Sequence, residues 1–270
     1  MRMKNFTTVI YIISVSLCFL SGCNLVEFNP NEIRLDEEEK DLNSKAITKI
    51  QSAGKRDTLT FVFMGDTQRF YDETDEFVES VNGLAYPIDF VIHAGDIADF
   101  GLAAEFKWVH NSMKKLKVPY LAVIGNHDLV ANGPIIYRKM YGEFDFVFDI
   151  DDYRFIFFNS NSREYNFAGK VPDLEWIERQ LEETPADKKI FLVSHVPPFS
   201  SDFDSSLEED YTQLVAGNPS VLASLHGHEH SFNNIVEKGV RYFITASVTN
   251  RGYALFRVSA NALDVQQIRY

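Results

Sequence analysis

Five short polar motifs stand in this chain, each just past an apolar run. They are Gly65-Asp66-Thr67-Gln68, Gly95-Asp96-Ile97-Ala98-Asp99, Gly125-Asn126-His127-Asp128, Ser194-His195 and Gly227-His228-Glu229-His230. Together they supply carboxylate, amide and imidazole groups. These are the donors from which a site for divalent cations is built. A pair of metals needs a carboxylate that can bridge both ions, further oxygen and imidazole ligands, and an open position for water and substrate. Asp96 is the natural bridge. The set points to a two-metal hydrolytic centre.

The elements that must position these groups follow from the apolar runs. Thr60 to Met64, Phe90 to Ala94, Tyr120 to Ile124, Ile190 to Val193 and Val221 to Leu225 read as buried strands. Ligand sites of open α/β sheets lie just past the carboxyl ends of such strands. Leu102, Phe106, Val109, Met113 and Leu116 step by four, three, four and three, which predicts an amphipathic helix between the second and third motif strands. Leu174, Ile177 and Leu181 predict another, with Asp173 as its N-cap. Asp145 to Ile150 and Tyr153 to Asn159 read as a strand pair. Tyr242 to Ala246 and Tyr253 to Val258 read as a closing antiparallel hairpin. The fold class is therefore α/β, with mixed or antiparallel sheet in the second half.

In this order the motifs resemble the calcineurin-like metallophosphoesterase superfamily, from Thr58 to the C-terminus. The resemblance implies a four-layer α/β/β/α sandwich with two mixed sheets and a dinuclear centre at the strand ends. It implies that Asp66, Gln68 and His230 hold the first metal, that Asp96 bridges, and that Asn126, His195 and His228 hold the second. A bridging hydroxide would be the nucleophile, and His127 the general acid at the leaving-group oxygen, oriented by Asp99. The residue types agree with these roles. If Gly227-His228-Glu229-His230 is extended, alternate side chains share one side, so both histidines face the site and Glu229 faces away. If the turn after Asp96 begins a helix, Asp99 lies one turn further on and within reach of His127. A carboxylate there would set the imidazole's tautomer.

Gln68 departs from the family pattern, which has His at that place. A side-chain amide oxygen is a harder ligand than an imidazole. Two divalent metal ions are expected, with Mn or Mg favoured and Fe or Zn the alternatives. The other reading is that Gln68 does not ligate and only one metal binds tightly. Arg69 and Arg251 are candidates for contact with substrate phosphate, with a surface salt bridge as the competing role for each. His93 is expected to be a hydrogen-bonded core residue, His226 either core or support to a ligand, and His110 a surface residue on its helix.

The chain has 270 residues, 45% of them hydrophobic, and a formal charge of −13. That suffices for one sizeable domain with a full core. The acidic balance argues against a nucleic-acid partner. It leaves small phosphorylated substrates open, because bound cations reverse the local field.

Arg2 and Lys4 precede an apolar stretch from about Val9 to Leu20 that ends in Leu20-Ser21-Gly22-Cys23. This reads as an export signal over residues 1–22, and its last four residues resemble a bacterial lipobox. Cys23 would be the lipidated first residue of an exported lipoprotein, anchored to a membrane of the cell envelope. The only other cysteine, Cys18, would leave with the signal, so no disulfide is expected. Residues 23–56 read as a tether, a solvated spacer in preference to a helix on the stripe Leu42, Ala46 and Ile50. Residues 57–270 form the domain.

The first functional expectation is a metal-dependent phosphoesterase acting on a small phosphomonoester or phosphodiester. The alternative is a non-catalytic metal-binding surface lipoprotein on the same fold, which Gln68 alone motivates. The oligomeric state does not follow from the sequence.

Overall fold

A computed structural model describes residues 32–260 and 262–270, and the segment from Ile33 to Tyr270 forms one compact unit. The expected export signal and Cys23 lie outside the described residues. Among the described residues, no helix is long and apolar enough to cross a membrane.

In chain order the elements are α1 (Leu42–Ser52), β1 (Leu59–Met64), α2 (Tyr71–Asn82), β2 (Phe90–His93), α3 (Ala103–Met113), β3 (Tyr120–Ala122) and α4 (Gly133–Met140). Then come β4 (Phe146–Ile150), β5 (Tyr153–Phe157), α5 (Leu174–Glu182), β6 (Lys189–Val193), α6 (Ser205–Gly217) and β7 (Val221–His226). The chain closes with β8 (Asn233–Glu237), β9 (Val240–Ile244), β10 (Gly252–Ser259) and β11 (Ala262–Arg269). All five motif strands are present, as are the two expected helices. The Asp173 carboxylate caps α5 by accepting from the Trp176 N–H at 3.0 Å.

The strands form two mixed sheets, ordered β11-β10-β1-β2-β3 and β4-β5-β6-β7-β9-β8. Strands β1, β2 and β3 are parallel, and so are β5, β6, β7 and β9. These strands are buried on both faces, which is why they read as unbroken apolar runs. Along β1, Val62 and Met64 face a core shared with α2, α3 and α4, while Phe61 and Phe63 face the second sheet. Between the sheets Phe61 lies flat on Phe90 and Phe256, at 5.4 and 4.7 Å, and meets Phe155 and Phe191 edge-on. Beyond the second sheet, α5 and α6 cover Ile156, Ile190 and Leu192. The four layers are α/β/β/α.

Two sequence expectations are corrected here. Tyr242 to Ala246 and Tyr253 to Val258 are not partners. Strand β9 pairs with β7 and β8, whereas β10 crosses to the other sheet and pairs with β1 and β11. Within the stretch read as a tether, Leu42–Ser52 is instead a helix packed on the body. Leu42, Ala46 and Ile50 of α1 are buried, so the helical stripe prevails over the spacer.

Helix α1 closes one side of the sandwich, where both sheets end. Asn43 donates to the Ala122 carbonyl and accepts from the Ala122 N–H, each at 2.9 Å, on the edge strand β3. Gln51 donates to the Asp149 carbonyl on the other edge strand, β4, at 2.8 Å. An edge strand presents unpaired backbone groups, and here side chains of a helix pair some of them.

Candidate metal centre

The ligand-bearing loops leave β1, β2, β3, β6 and β7 at their carboxyl ends and are tied to one another before any metal is considered. Asp66 N–H bonds the Gly95 carbonyl, and the Thr67 and Gln68 N–H groups bond the Asp96 carbonyl, at 3.0 to 3.1 Å. Gly125 is required by this closeness, since a Cβ there would lie 2.2 Å from Asp96 Oδ1. Asp66, Asp96, His228 and His230 all adopt left-handed backbone, with φ between 55° and 72°. Four non-glycine residues in that region mark a stretch held against its own preference.

The structure brings every expected ligand together. Asp66, Asp96 and His195 are fully buried and present donor atoms within 4.8 Å of one another. Asn126 Oδ1 lies 3.0 Å from His195 Nε2 and 3.1 Å from His228 Nδ1. His195 Nε2 is also 3.3 Å from Asp96 Oδ2, and His230 Nε2 is 3.5 Å from Asp66 Oδ1. His195 Nδ1 donates to the Ala94 carbonyl at 2.7 Å, which fixes Nε2 as the atom facing the site.

Both histidines of Gly227-His228-Glu229-His230 face the site, but by a different route from that expected. The segment is not extended. Left-handed turns at His228 and His230 carry the two rings inward. Asp99 likewise does not sit on a helix, because α3 begins only at Ala103. It still meets His127, with Oδ1 3.2 Å and the backbone carbonyl 3.1 Å from Nδ1.

These residues fit a cation on their own chemistry. Asp66 Oδ2 and Gln68 Oε1 are buried and have no hydrogen-bond partner. A buried carboxylate oxygen and a buried amide oxygen without partners are costly unless something positive satisfies them. Burial raises the Asp66 carboxyl to about 7, with His195 opposing and Asp96 adding to the rise. Burial also acts to raise Asp96, but the adjacent His195 outweighs it and holds that carboxyl at about 2. His195 is driven the other way. Burial alone would lower it, yet Asp96 and Asp66 raise it to about 10. The pocket therefore calls for positive charge. Asp66, Gln68, Asp96, Asn126, His195, His228 and His230 are the side chains placed to hold it.

Several supporting groups were not read from the sequence. Asp128 is buried and accepts from the N–H groups of Ile97, Ala98 and Gly125, at 2.8 to 2.9 Å, so it clamps the second and third loops together. Asp202 lies 3.3 Å from His228 Nε2 and takes Arg163 at 3.1 Å on the same oxygen. Ser247 donates to the Asp66 carbonyl at 3.0 Å. The position of Asp128 inside a motif was the one available signal. Asp202 and Ser247 have none, because their partners are remote in sequence.

The remaining candidates separate cleanly. Arg69 forms a double contact with Asp99, at 3.0 and 3.2 Å, and stays largely exposed beside His127. Arg251 is taken up by Glu76 at 2.7 and 3.2 Å and touches none of the ligand set. That is the salt-bridge role. His93 is a core residue bonded to Thr67 and Gly95. His226 is buried between Ser194 and Ser224, so it supports the strand that carries His195. His110, expected at the surface, is buried and bonds the Tyr120 hydroxyl at 2.8 Å, so it belongs to the packing between α3 and β3.

Comparison with known proteins agrees with this geometry. The profile of the calcineurin-like phosphoesterase family matches residues 59–232. A probable glycerophosphodiester phosphodiesterase, GpdQ, from Arcobacter nitrofigilis is 28% identical over 204 residues, covering 69% of this chain and 73% of that protein. The glycerophosphodiester phosphodiesterase GpdQ of Enterobacter lignolyticus is 28% identical over 171 residues, with coverage of 58% and 61%. Among solved structures, a dimetal phosphatase from Danio rerio superposes with a TM-score of 0.66 at 13% identity, over 77% of this chain and 95% of that one. A purple acid phosphatase from yellow lupin seeds gives 0.62 at 13% identity, over 80% and 52%. With five ligand loops at the strand ends of a two-sheet sandwich and a family profile spanning all five of those strands, the chain belongs to the calcineurin-like phosphoesterase family.

Proposed function

We propose that this phosphoric ester hydrolase is a metal-dependent phosphodiesterase for small soluble diesters. The observation that carries the reading is the His127–Asp99 pair at the rim of a buried set of donors, two of which lack any partner. Asp66, Gln68 and His230 would hold one divalent ion, Asn126, His195 and His228 a second, and Asp96 would be shared. Such ions supply Lewis-acid polarisation of the phosphoryl oxygens and a water that is nucleophilic at neutral pH. The protein supplies the rest. Asp99 accepts from His127 Nδ1–H, so Nε2 is left free to give a proton to the departing alkoxide. The Asp96 carboxylate also accepts from the His127 N–H at 2.9 Å, so acid and ligand cannot drift apart. The Arg69 guanidinium lies next to them on Asp99 and is placed to meet a substrate phosphate oxygen. The names of the GpdQ relatives support a diester over a monoester. Gln68 supports Mn or Mg in the first site.

The test uses metal-stripped protein reloaded with Mn²⁺, Mg²⁺ or Zn²⁺. Release is measured from glycerophosphodiesters, bis-p-nitrophenyl phosphate and p-nitrophenyl phosphate, with Asp96→Asn as the blank. Faster diester turnover that needs metal and Asp96 is expected. Monoester turnover alone would overturn the diester assignment. No turnover in folded, loaded protein would overturn the catalytic reading.

The same proposal places the protein outside the cytoplasm as a lipoprotein anchored at Cys23. Its support is the charged and apolar leader ending in Leu20-Ser21-Gly22-Cys23. Labelling with a fatty acid in the native host should mark the wild type and not Cys23→Ser.

A further inference from the structure

A groove away from the metal centre is lined by lysines that the sequence reading left without a role. It is open, with a volume of about 490 Å³, and lies between α1, the end of α3 and the residues that lead into β3. Its floor is apolar, made by Leu42, Ala46, Met113 and Leu116. Lys45, Lys49, Lys114 and Lys117 line it, against a single carboxylate, Glu38. Among the described residues, none of these four lysines lies in an ion pair. The neighbouring Glu37 and Glu39 are already taken by Lys40 and Lys107. A chain of formal charge −13 thus concentrates four cations around one greasy slot.

The place of the groove in the fold matters as much as its charge. It lies beside the start of β3, whereas Asn126 and His127 follow the end of that strand. It also lies where the folded body begins, since its first lining residue is Glu38, five residues after Ile33. Only residues 24–32 separate the body from Cys23. Fully extended, nine residues span at most about 30 Å.

We propose that this groove is a docking site for the headgroups of an anionic phospholipid bilayer. All four lysines are exposed. Lys45 and Lys117 each give one ammonium hydrogen to a backbone carbonyl, of Glu37 and Asn82, and keep others for phosphate. Long basic side chains at interfaces place their stems on apolar surface and their charge outward. Each lysine near an anionic surface contributes about fivefold in partitioning, and the attraction decays within a Debye length. Docked in this way, the body would turn the metal centre away from the membrane and toward soluble substrate. The proposal rests on the anchored reading only for how a bilayer comes within reach.

The experiment uses residues 24–270 without acylation, so the outcome is separate from that of the anchor. Sedimentation is measured with phosphatidylcholine vesicles, with and without phosphatidylglycerol, at low and high salt. The variant is Lys45→Glu/Lys49→Glu/Lys114→Glu. The control reverses Lys170, Lys189 and Arg269, which gives the same net charge. We expect binding only to the anionic vesicles, loss at high salt, and a fall of at least about a hundredfold in the groove variant. The control should bind like wild type, and turnover of a soluble diester should be unchanged in both. Equal binding to neutral vesicles would overturn the proposal. So would equal losses in variant and control. Direct binding of glycerol phosphate by titration calorimetry, lost in the groove variant, together with no vesicle binding, would overturn the bilayer and leave a small-anion site.

Discussion

Asn43 on α1 closes the outer edge of β3 by bonding both backbone groups of Ala122, at 2.9 Å each. The Ala122 carbonyl has a second donor in the Tyr137 hydroxyl at 2.7 Å, but the N–H has only Asn43. Asn43→Ala therefore strands a buried donor. We expect a loss of about 2 kcal/mol, read as a fall of several degrees in the thermal midpoint. A chain begun at Asp57 would lack α1 altogether. It should self-associate through bare β3 and β4 edges, which light scattering would detect. A monomer with wild-type stability would refute the edge-sealing role.

Asp202 is the partner of His228 Nε2, which leaves Nδ1 turned toward Asn126. Asp202→Asn should weaken binding of the second metal by about 10- to 100-fold while leaving the first nearly intact. Titration calorimetry with Mn²⁺ separates the two events. An unchanged second step would remove Asp202 from this role.

His127 has a role that depends on the leaving group. For a glycerophosphodiester, whose alkoxide needs a proton, His127→Ala should lower kcat by about 10²- to 10⁴-fold. For bis-p-nitrophenyl phosphate, whose leaving group departs as an anion, the loss should be far smaller. Equal losses on both esters would show that His127 positions and does not protonate.

Gln68 presents a buried side-chain amide oxygen that has no partner. Gln68→His should raise retention of Zn²⁺ relative to Mn²⁺ when both are supplied together. Metal analysis after desalting provides the readout. An unchanged ratio would mean that Gln68 lies outside the coordination sphere.

Two buried histidines set a pH dependence of stability. His93 is lowered to about 3 by burial, with Asp96 opposing, and His226 is lowered to about 3 by burial with His195 adding to it. Both are neutral in the fold and free to protonate once unfolded. Between about pH 6.5 and 3 the unfolded chain binds more protons, so stability is complete above this window and falls as pH drops through it. Each histidine contributes at most about 1.4 kcal/mol per pH unit. His226→Gln should flatten the slope of unfolding free energy against pH by up to one proton. An unaltered slope would mean that His226 is charged or accessible in the native state.

Much of the centre was legible because its ligands obey a local rule. Asp66, Asp96, Asn126, His195 and His228 each follow a buried strand closely, and an apolar run plus a donor is visible within a few residues. What could not be read was anything decided by distant packing. Asp202 reaches His228 from a separate loop, and Ser247 reaches Asp66 across 181 positions. The inward aim of His228 and His230 was anticipated from an alternation that the backbone does not follow, since both residues sit at positive φ. The pairing of β9 and β10 failed for a related reason. Adjacent strand-like runs suggest a hairpin, but the short turn at Val248–Asn250 carries the chain over the site to the other sheet. Helix α1 is hard to read because Leu42, Ala46 and Ile50 make a weak stripe among polar residues, although with Ile47 they pack against the cores of the two-sheet sandwich.

The candidate ligands divide between the two sheets. Asp66, Asp96 and Asn126 extend from β1, β2 and β3, whereas His195 and His228 extend from β6 and β7. A cation gripped from both sides would act as a removable crosslink between the halves of the sandwich. The chain has no cysteine beyond Cys23 with which to build a covalent one. Its heat resistance should then track free metal, rising by about 2.7 kcal/mol at a hundredfold excess over the dissociation constant. Chelation would loosen the whole molecule as well as silence it.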